Sequence, residues 1–95
     1  MPAIWPFPDP PNAVTITTRQ VMELGMPILV VTHDADDGCW QMLCGTTDDA
    51  DDARVVGLDE VYKRDLSIGQ LADLPRGWRA WRETVNTPWI REHVQ

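Results

Sequence analysis

Seven of the chain's aspartates gather in two short stretches. Carboxylates this close together either hold a hard cation or carry a strongly negative surface. Asp34, Asp36 and Asp37 precede Gly38, and Asp48, Asp49, Asp51 and Asp52 follow in T-T-D-D-A-D-D-A. A calcium loop of the EF-hand kind needs acids at positions 1, 3 and 5, glycine at 6 and glutamate at 12. Counted from Asp34, position 5 is Gly38, position 6 is Cys39 and position 12 is Gly45, so that motif is absent. A looser oxygen-ligand site shared by the two stretches is one reading. The plainer one is that aspartates in turns bond their own backbone, and no metal ligand is assigned.

His33, next to Asp34, titrates near neutrality and could serve as a general base. A base needs a nucleophile within reach and a group to orient it. Cys44 lies far along the chain from it and Cys39 lies across the turn, so His33 reads more simply as a strand-end residue stacked on Trp40. No catalytic residue is assigned, and His93 reads as a solvated tail residue. Cys39 and Cys44 stand five apart. On one strand an odd separation sends side chains to opposite faces, so the two cannot bridge. A lone C-x4-C is also not a usual zinc or redox spacing. They read as two small half-buried apolar residues, and no cofactor is implied.

The third candidate is R-G-W-R-A-W-R, residues 76–82. On a strand, Trp78, Ala80 and Arg82 share one face, while Arg79, Trp81 and Glu83 share the other. One tryptophan can enter the core and leave the second beside guanidinium groups, the residue pair that dominates interface hot spots. The alternative is a half-buried strand whose arginines cover apolar area with their stems and pair with the acidic loop.

Several elements must position these residues. P-I-L-V-V-T-H-D-A-D-D-G-C-W-Q-M-L-C-G, residues 27–45, is written as a β-hairpin. A four-residue loop over residues 35–38 pairs Asp34 with Cys39. It sets His33 opposite Trp40, Val31 opposite Met42 and Leu29 opposite Cys44 on one face, with Thr32 facing Gln41 and Val30 facing Leu43 on the other. Thr17-x-x-Gln20 reads as a capping box with Ile16 stapled to Val21, opening a short helix from Thr18 to about Leu24 that Gly25 and Pro27 stop. Residues 54–58 read as a third strand, and Asp59 caps a helix over residues 60–64 that buries Val61 and Tyr62. Ser67-x-x-Gln70 reads as a second capping box, with Leu66 stapled to Leu71, for a helix ending near Leu74. Residues 78–84 read as a strand and residues 90–95 as a tail.

Residues 1–13 hold five of the eight prolines in their first twelve positions and read as an extended, proline-rich arm. Its Trp5 and Phe7 either tie it to its own domain or dock it in a second copy. Residues 14–95 form a single domain. The expected class is α+β: a small antiparallel sheet nucleated by the hairpin, with two or three short helices packed on it.

Net charge is −7 over 95 residues, and it is uneven. Residues 1–53 hold nine acids against Arg19, and residues 54–95 hold six acids against seven bases. An acidic half repels phosphate backbones, so nucleic acid is not an expected partner. No apolar run approaches the roughly 20 residues of a bilayer span, and the first residues lack a signal-peptide pattern. Unpaired thiols then favour a cytoplasmic location.

D-x-D-D-G-C-W-Q-M-L-C-G-T-T, V-V-G-L-D-E-V and D-L-P-R-G-W-R-A-W-R-E resemble a family of small bacterial domains of unknown function, loosely connected with immunity-protein-like domains of polymorphic toxin systems. The resemblance covers about residues 28–83 and implies a protein that binds partners and is not an enzyme. The resulting expectation is a non-catalytic protein-binding or immunity-like domain. It would present a protein partner, basic on charge grounds, with Asp34, Asp36, Asp37, Asp48, Asp49, Asp51 and Asp52 or with Trp78, Arg79, Trp81 and Arg82. The alternatives are a metal-dependent regulator or small enzyme built on the aspartates near His33, and a structural homodimer formed through the sheet edge or the arm.

Overall fold

A computed structural model describes residues 5–47 and 49–94. Six strands form one sheet: β1 (Val14–Thr18), β2 (Val30–His33), β3 (Trp40–Leu43), β4 (Ala53–Gly57), β5 (Trp78–Trp81) and β6 (Ile90–His93). Across the sheet the order is β4-β1-β3-β2-β5-β6. Three short helices pack on it: α1 (Arg19–Leu24), α2 (Leu58–Arg64) and a 3-10 helix over Leu66–Leu71. The architecture is α+β, as the residues imply.

The β2–β3 hairpin sits at the centre with the register its side chains demand: His33 opposite Trp40, Val31 opposite Met42, Thr32 opposite Gln41 and Val30 opposite Leu43. Asp34 N–H closes the loop on the Cys39 carbonyl at 2.9 Å, and Gly38 takes a positive φ of 71°. Stacking of the His33 and Trp40 rings, 3.9 Å apart and 10° from parallel, fixes the strand end.

Four sequence expectations fail. Asp59 does not cap α2: Gly57, the last residue of β4, stands at the cap position and Asp59 lies within the first turn. The other three fail for a physical reason each. The Thr17 capping box does not form. Residues 14–18 are all extended, and Thr17 Oγ1 donates to the Met42 carbonyl at 2.6 Å, across the sheet. Thr18 is the residue at the helix start, and its hydroxyl donates to Cys44 Sγ and not to the helix. Cross-strand pairing of β1 with β3 and β4 outweighs a local cap worth about 1 kcal/mol. The Ser67 box fails likewise: Asp65 is the cap, and its Oδ1 accepts from the Ser67 N–H and hydroxyl. The tail is a strand, because β6 pairs with β5 along four residues.

The sheet is also mixed. β1 runs parallel to β3, and α1 with β2 supplies the crossover such a pair needs. Alternation then separates two faces. Thr15, Thr17, Val31, His33, Trp40, Met42 and Ala80 point inward, all buried. Over them lie Val21 of α1, Leu58 and Val61 of α2, Ile68 and Leu71 of the 3-10 helix, and Leu74. Full burial of each such side chain contributes roughly 2 kcal/mol, so this layer holds the domain together. Gly25, with φ 68°, ends α1 in the left-handed region.

The arm belongs to the same core. Phe7 is buried, its ring edge-on to Trp40 at 5.4 Å and to Tyr62 at 6.0 Å. Trp5 meets Tyr62 edge-on and donates from Nε1 to the Asp9 carbonyl.

Candidate functional site: the helix-free face of the sheet

Among the described residues, α1, α2 and the 3-10 helix over Leu66–Leu71 all bury apolar side chains in the core on the inward side, and none lies over the opposite side of the sheet. The register defines its rows: Ala53, Thr18, Leu43, Val30, Trp81 and Ile90 lie side by side at one end, with Val55, Ile16, Gln41, Thr32, Arg79 and Glu92 next to them. The first row is apolar over four neighbouring strands, from Leu43 through Val30 and Trp81 to Ile90. A second apolar corner forms where Val14, Ile16 and Val55 meet across β1 and β4. Val55 is 69% exposed, Val14 63% and Ile90 48%, while Ile16, Val30, Leu43 and Trp81 are half-buried. Polar residues occupy the middle: Gln41 Nε2 donates to Asp34 at 3.2 Å, and Arg79 Nε donates to Glu92 at 2.6 Å.

This face divides the tryptophan-arginine strand as alternation predicts. Trp78 points inward, half-buried and 5.6 Å from the His93 ring. Arg79 and Trp81 point outward. Arg82 is buried, donating from Nε and Nη2 to the Ile28 carbonyl and from Nη2 to Asp65 at 3.0 Å, with its guanidinium 4.1 Å from the Trp89 ring centre. Its charge is therefore used inside the domain. Among the described residues, neither arginine pairs with the acidic loop: Arg79 pairs with Glu92 and Arg82 with Asp65.

The acidic stretches flank the face at its two ends. At the hairpin tip, Asp34 lies on the outward side, Asp36 is exposed, and Asp37 Oδ1 accepts from the Cys39 N–H at 2.9 Å. At the other end, Asp49 Oδ1 accepts from the Asp51 N–H, capping the 3-10 turn Ala50–Asp52. Asp52 is held more firmly. Hydrogen bonds from Gln20 and Thr47, reinforced by Arg19, keep its carboxyl below the usual carboxylate range. Asp48 lies outside the described residues. Among the described residues, no group of three or more His, Cys, Asp or Glu side chains converges where a metal could sit.

The cysteines stay apart. Cys44 is buried; burial disfavours its thiolate, but hydrogen bonds from Thr18 and Thr46 outweigh this and lower its pKa. Cys39, half-buried on the outward side beside Val14, has its thiol pushed up by burial and then by Asp37 and Asp34.

Val14, Ile16, Val55 and Ile90 are the members of this face that the sequence reading missed. V-T-I-T-T is an unbroken β-branched run, a strand signal that the overlapping capping pattern hid. No family model matches the chain, and no curated protein or solved structure matches it either. Among the described residues, no helix is long and apolar enough to cross a membrane.

Proposed function

We propose that this domain is a non-catalytic protein-binding module, of the immunity-like kind its motifs resemble, and that it takes its partner across the helix-free face of the sheet. The observation that carries this reading is the apolar row Leu43–Val30–Trp81–Ile90, which among the described residues has no helix over it and runs from half-buried residues to the exposed Ile90. Six strands at about 4.8 Å spacing and four residues of rise give a face of roughly 24 by 13 Å. That is roughly 300 Å², well below the ~800 Å² each partner contributes to a standard interface. A stable complex must therefore extend past the face onto the sheet ends, where Asp34, Asp36, Asp37, Asp49 and Asp51 stand. A partner with an apolar centre and basic flanks fits both parts, and the acidic ends would accelerate its approach.

The test is affinity capture from the native cell followed by mass spectrometry, repeated with two variants. Ile90→Lys with Val55→Lys should abolish capture of the same protein. Charge reversal at Asp36, Asp37, Asp49 and Asp51 should weaken it and flatten its salt dependence. Unchanged capture by the first variant removes the face from consideration.

A further inference from the structure

On the other side of the sheet, at the hairpin-tip end, the arm and the turn before β5 enclose a cleft of about 370 Å³ lined by Pro8, Asp9, Pro10, His33 and Arg76. Three of these residues bring polar chemistry, and two of them, His33 and Asp9, are fixed by hydrogen bonds. His33 is only 9% exposed, and its Nδ1 lies 2.7 Å from the Leu74 carbonyl. A carbonyl can only accept, so Nδ1 carries the hydrogen, and in the neutral tautomer this leaves the lone pair at Nε2. Trp40 lies under the imidazole as a flat support, and its own Nε1 donates to Asp9 Oδ1 at 3.2 Å. One buried indole thus fixes both His33 and Asp9.

Arg76 supplies the opposite charge. Its guanidinium lies against the backbone of Gly38. A Cβ at that position would fall 2.5–2.7 Å from Nη2, Cζ and Nε, so any other residue there would displace the guanidinium. Among the described residues it has no ion pair or hydrogen bond, whereas Arg19, Arg54, Arg79, Arg82 and Arg91 all have carboxylate partners. An unpaired guanidinium and a nine-tenths-buried imidazole thus line one cleft, a combination suited to recognising a small polar molecule.

We infer that this cleft binds a small amino carboxylate, a free amino acid in its zwitterionic form. The three groups offer one cationic donor and two acceptors. The ligand carboxylate would sit on Arg76, where the fork geometry favours two parallel bonds. Its ammonium would donate to Asp9 and to His33 Nε2. A plain anion would meet the Asp9 charge and a plain cation that of Arg76, so the pattern selects a molecule carrying both. Pro8 and Pro10 lack N–H groups, so they wall the cleft without adding donors. The site is on the helix side of the sheet and stands independently of the partner-binding face.

Titration of the full chain with L-alanine, L-leucine and L-glutamate, followed by the imidazole resonances of His33, tests this. At least one should give a saturable shift in the millimolar range, where small ligands with three polar contacts commonly bind. For the amino acid that binds, removing the carboxylate (L-leucinamide for L-leucine) or the ammonium (4-methylpentanoate) should weaken binding about tenfold or more. Arg76→Gln, an exposed substitution, should do the same, and Arg64→Gln, at an arginine outside the cleft, should leave binding unchanged. No saturable shift with any of the three, or equal binding of the carboxylate-only compound, overturns the assignment. So does binding that survives Arg76→Gln.

Discussion

The carboxylate of Asp65 divides its two oxygens between two elements: Oδ1 accepts from Ser67 at the start of the 3-10 helix, and Oδ2 accepts from the guanidinium of Arg82 at 3.0 Å. The cap of a helix and the end of the sheet are therefore one hydrogen-bonded unit. Arg82 is nearly fully buried, and it also bonds the Ile28 carbonyl and stacks on the Trp89 ring.

Removing the acid should cost more than removing the pair. Asp65→Ala leaves a buried guanidinium without its counter-charge and should destabilise the domain by about 3 kcal/mol, the lower end for a broken buried pair because Asp65 is itself partly exposed. Adding Arg82→Met to that variant should restore part of the loss. Urea unfolding of the two variants checks the order; a double variant less stable than Asp65→Ala would contradict it.

How far this unit was legible in the sequence depends on range. The hairpin was readable because its register is decided by adjacent residues, His33 against Trp40 and Val31 against Met42. The inward and outward sides of β5 follow from alternation alone. The Asp65–Arg82 contact was not readable, since nothing in D-L-S announces a partner just past the end of β5. The Thr17 and Ser67 boxes misled for the same reason. Local patterns state what a side chain would do in isolation, and Thr17 instead found a carbonyl 25 positions away. β6 escaped notice because I-R-E-H has no apolar period, and its place is set by pairing with β5, including Arg79 with Glu92. The candidate face was half visible. Trp81 and the aspartates could be named, but the absence of a covering layer is a property of the whole fold.

The arm should contribute measurably to stability. Phe7→Ala removes a buried ring from between Trp40 and Tyr62 and should cost about 3 kcal/mol, near the lower end for such truncations because the arm can lift and let water in. The same variant should red-shift tryptophan fluorescence as Trp40 becomes wet. A loss below about 0.5 kcal/mol, the level of an ordinary surface substitution, would show that the arm is not part of the core.

Acid should loosen the loop end of the sheet through Asp52. Its folded pKa is depressed, so its stabilising contribution is complete above the unfolded value near 3.9 and is lost as pH falls through the folded value. Asp52→Asn should therefore be less stable than the parent at pH 7, and the gap should narrow only as pH falls below the unfolded carboxylate value and through the depressed folded one. Melting temperatures of both proteins between pH 2 and pH 7 check this. A gap independent of pH would assign the effect to the lost bonds from Gln20 and Thr47 and not to charge.

The central hairpin has one further consequence, for the order in which a growing chain can fold. β3 finds its outer neighbour β1 already synthesised, but β2 must wait for β5, whose nearest pairing, His33 with Trp78, spans 45 positions and whose farthest, Val30 with Trp81, spans 51. Until then the β2 edge, Val30 to His33, exposes unpaired backbone beside an apolar surface, the arrangement that recruits other chains. Arg82, bonded across the gap to Ile28, closes that interval at the end of β5. Losing it would lengthen the time the nascent domain spends open as well as lowering the stability of the finished one.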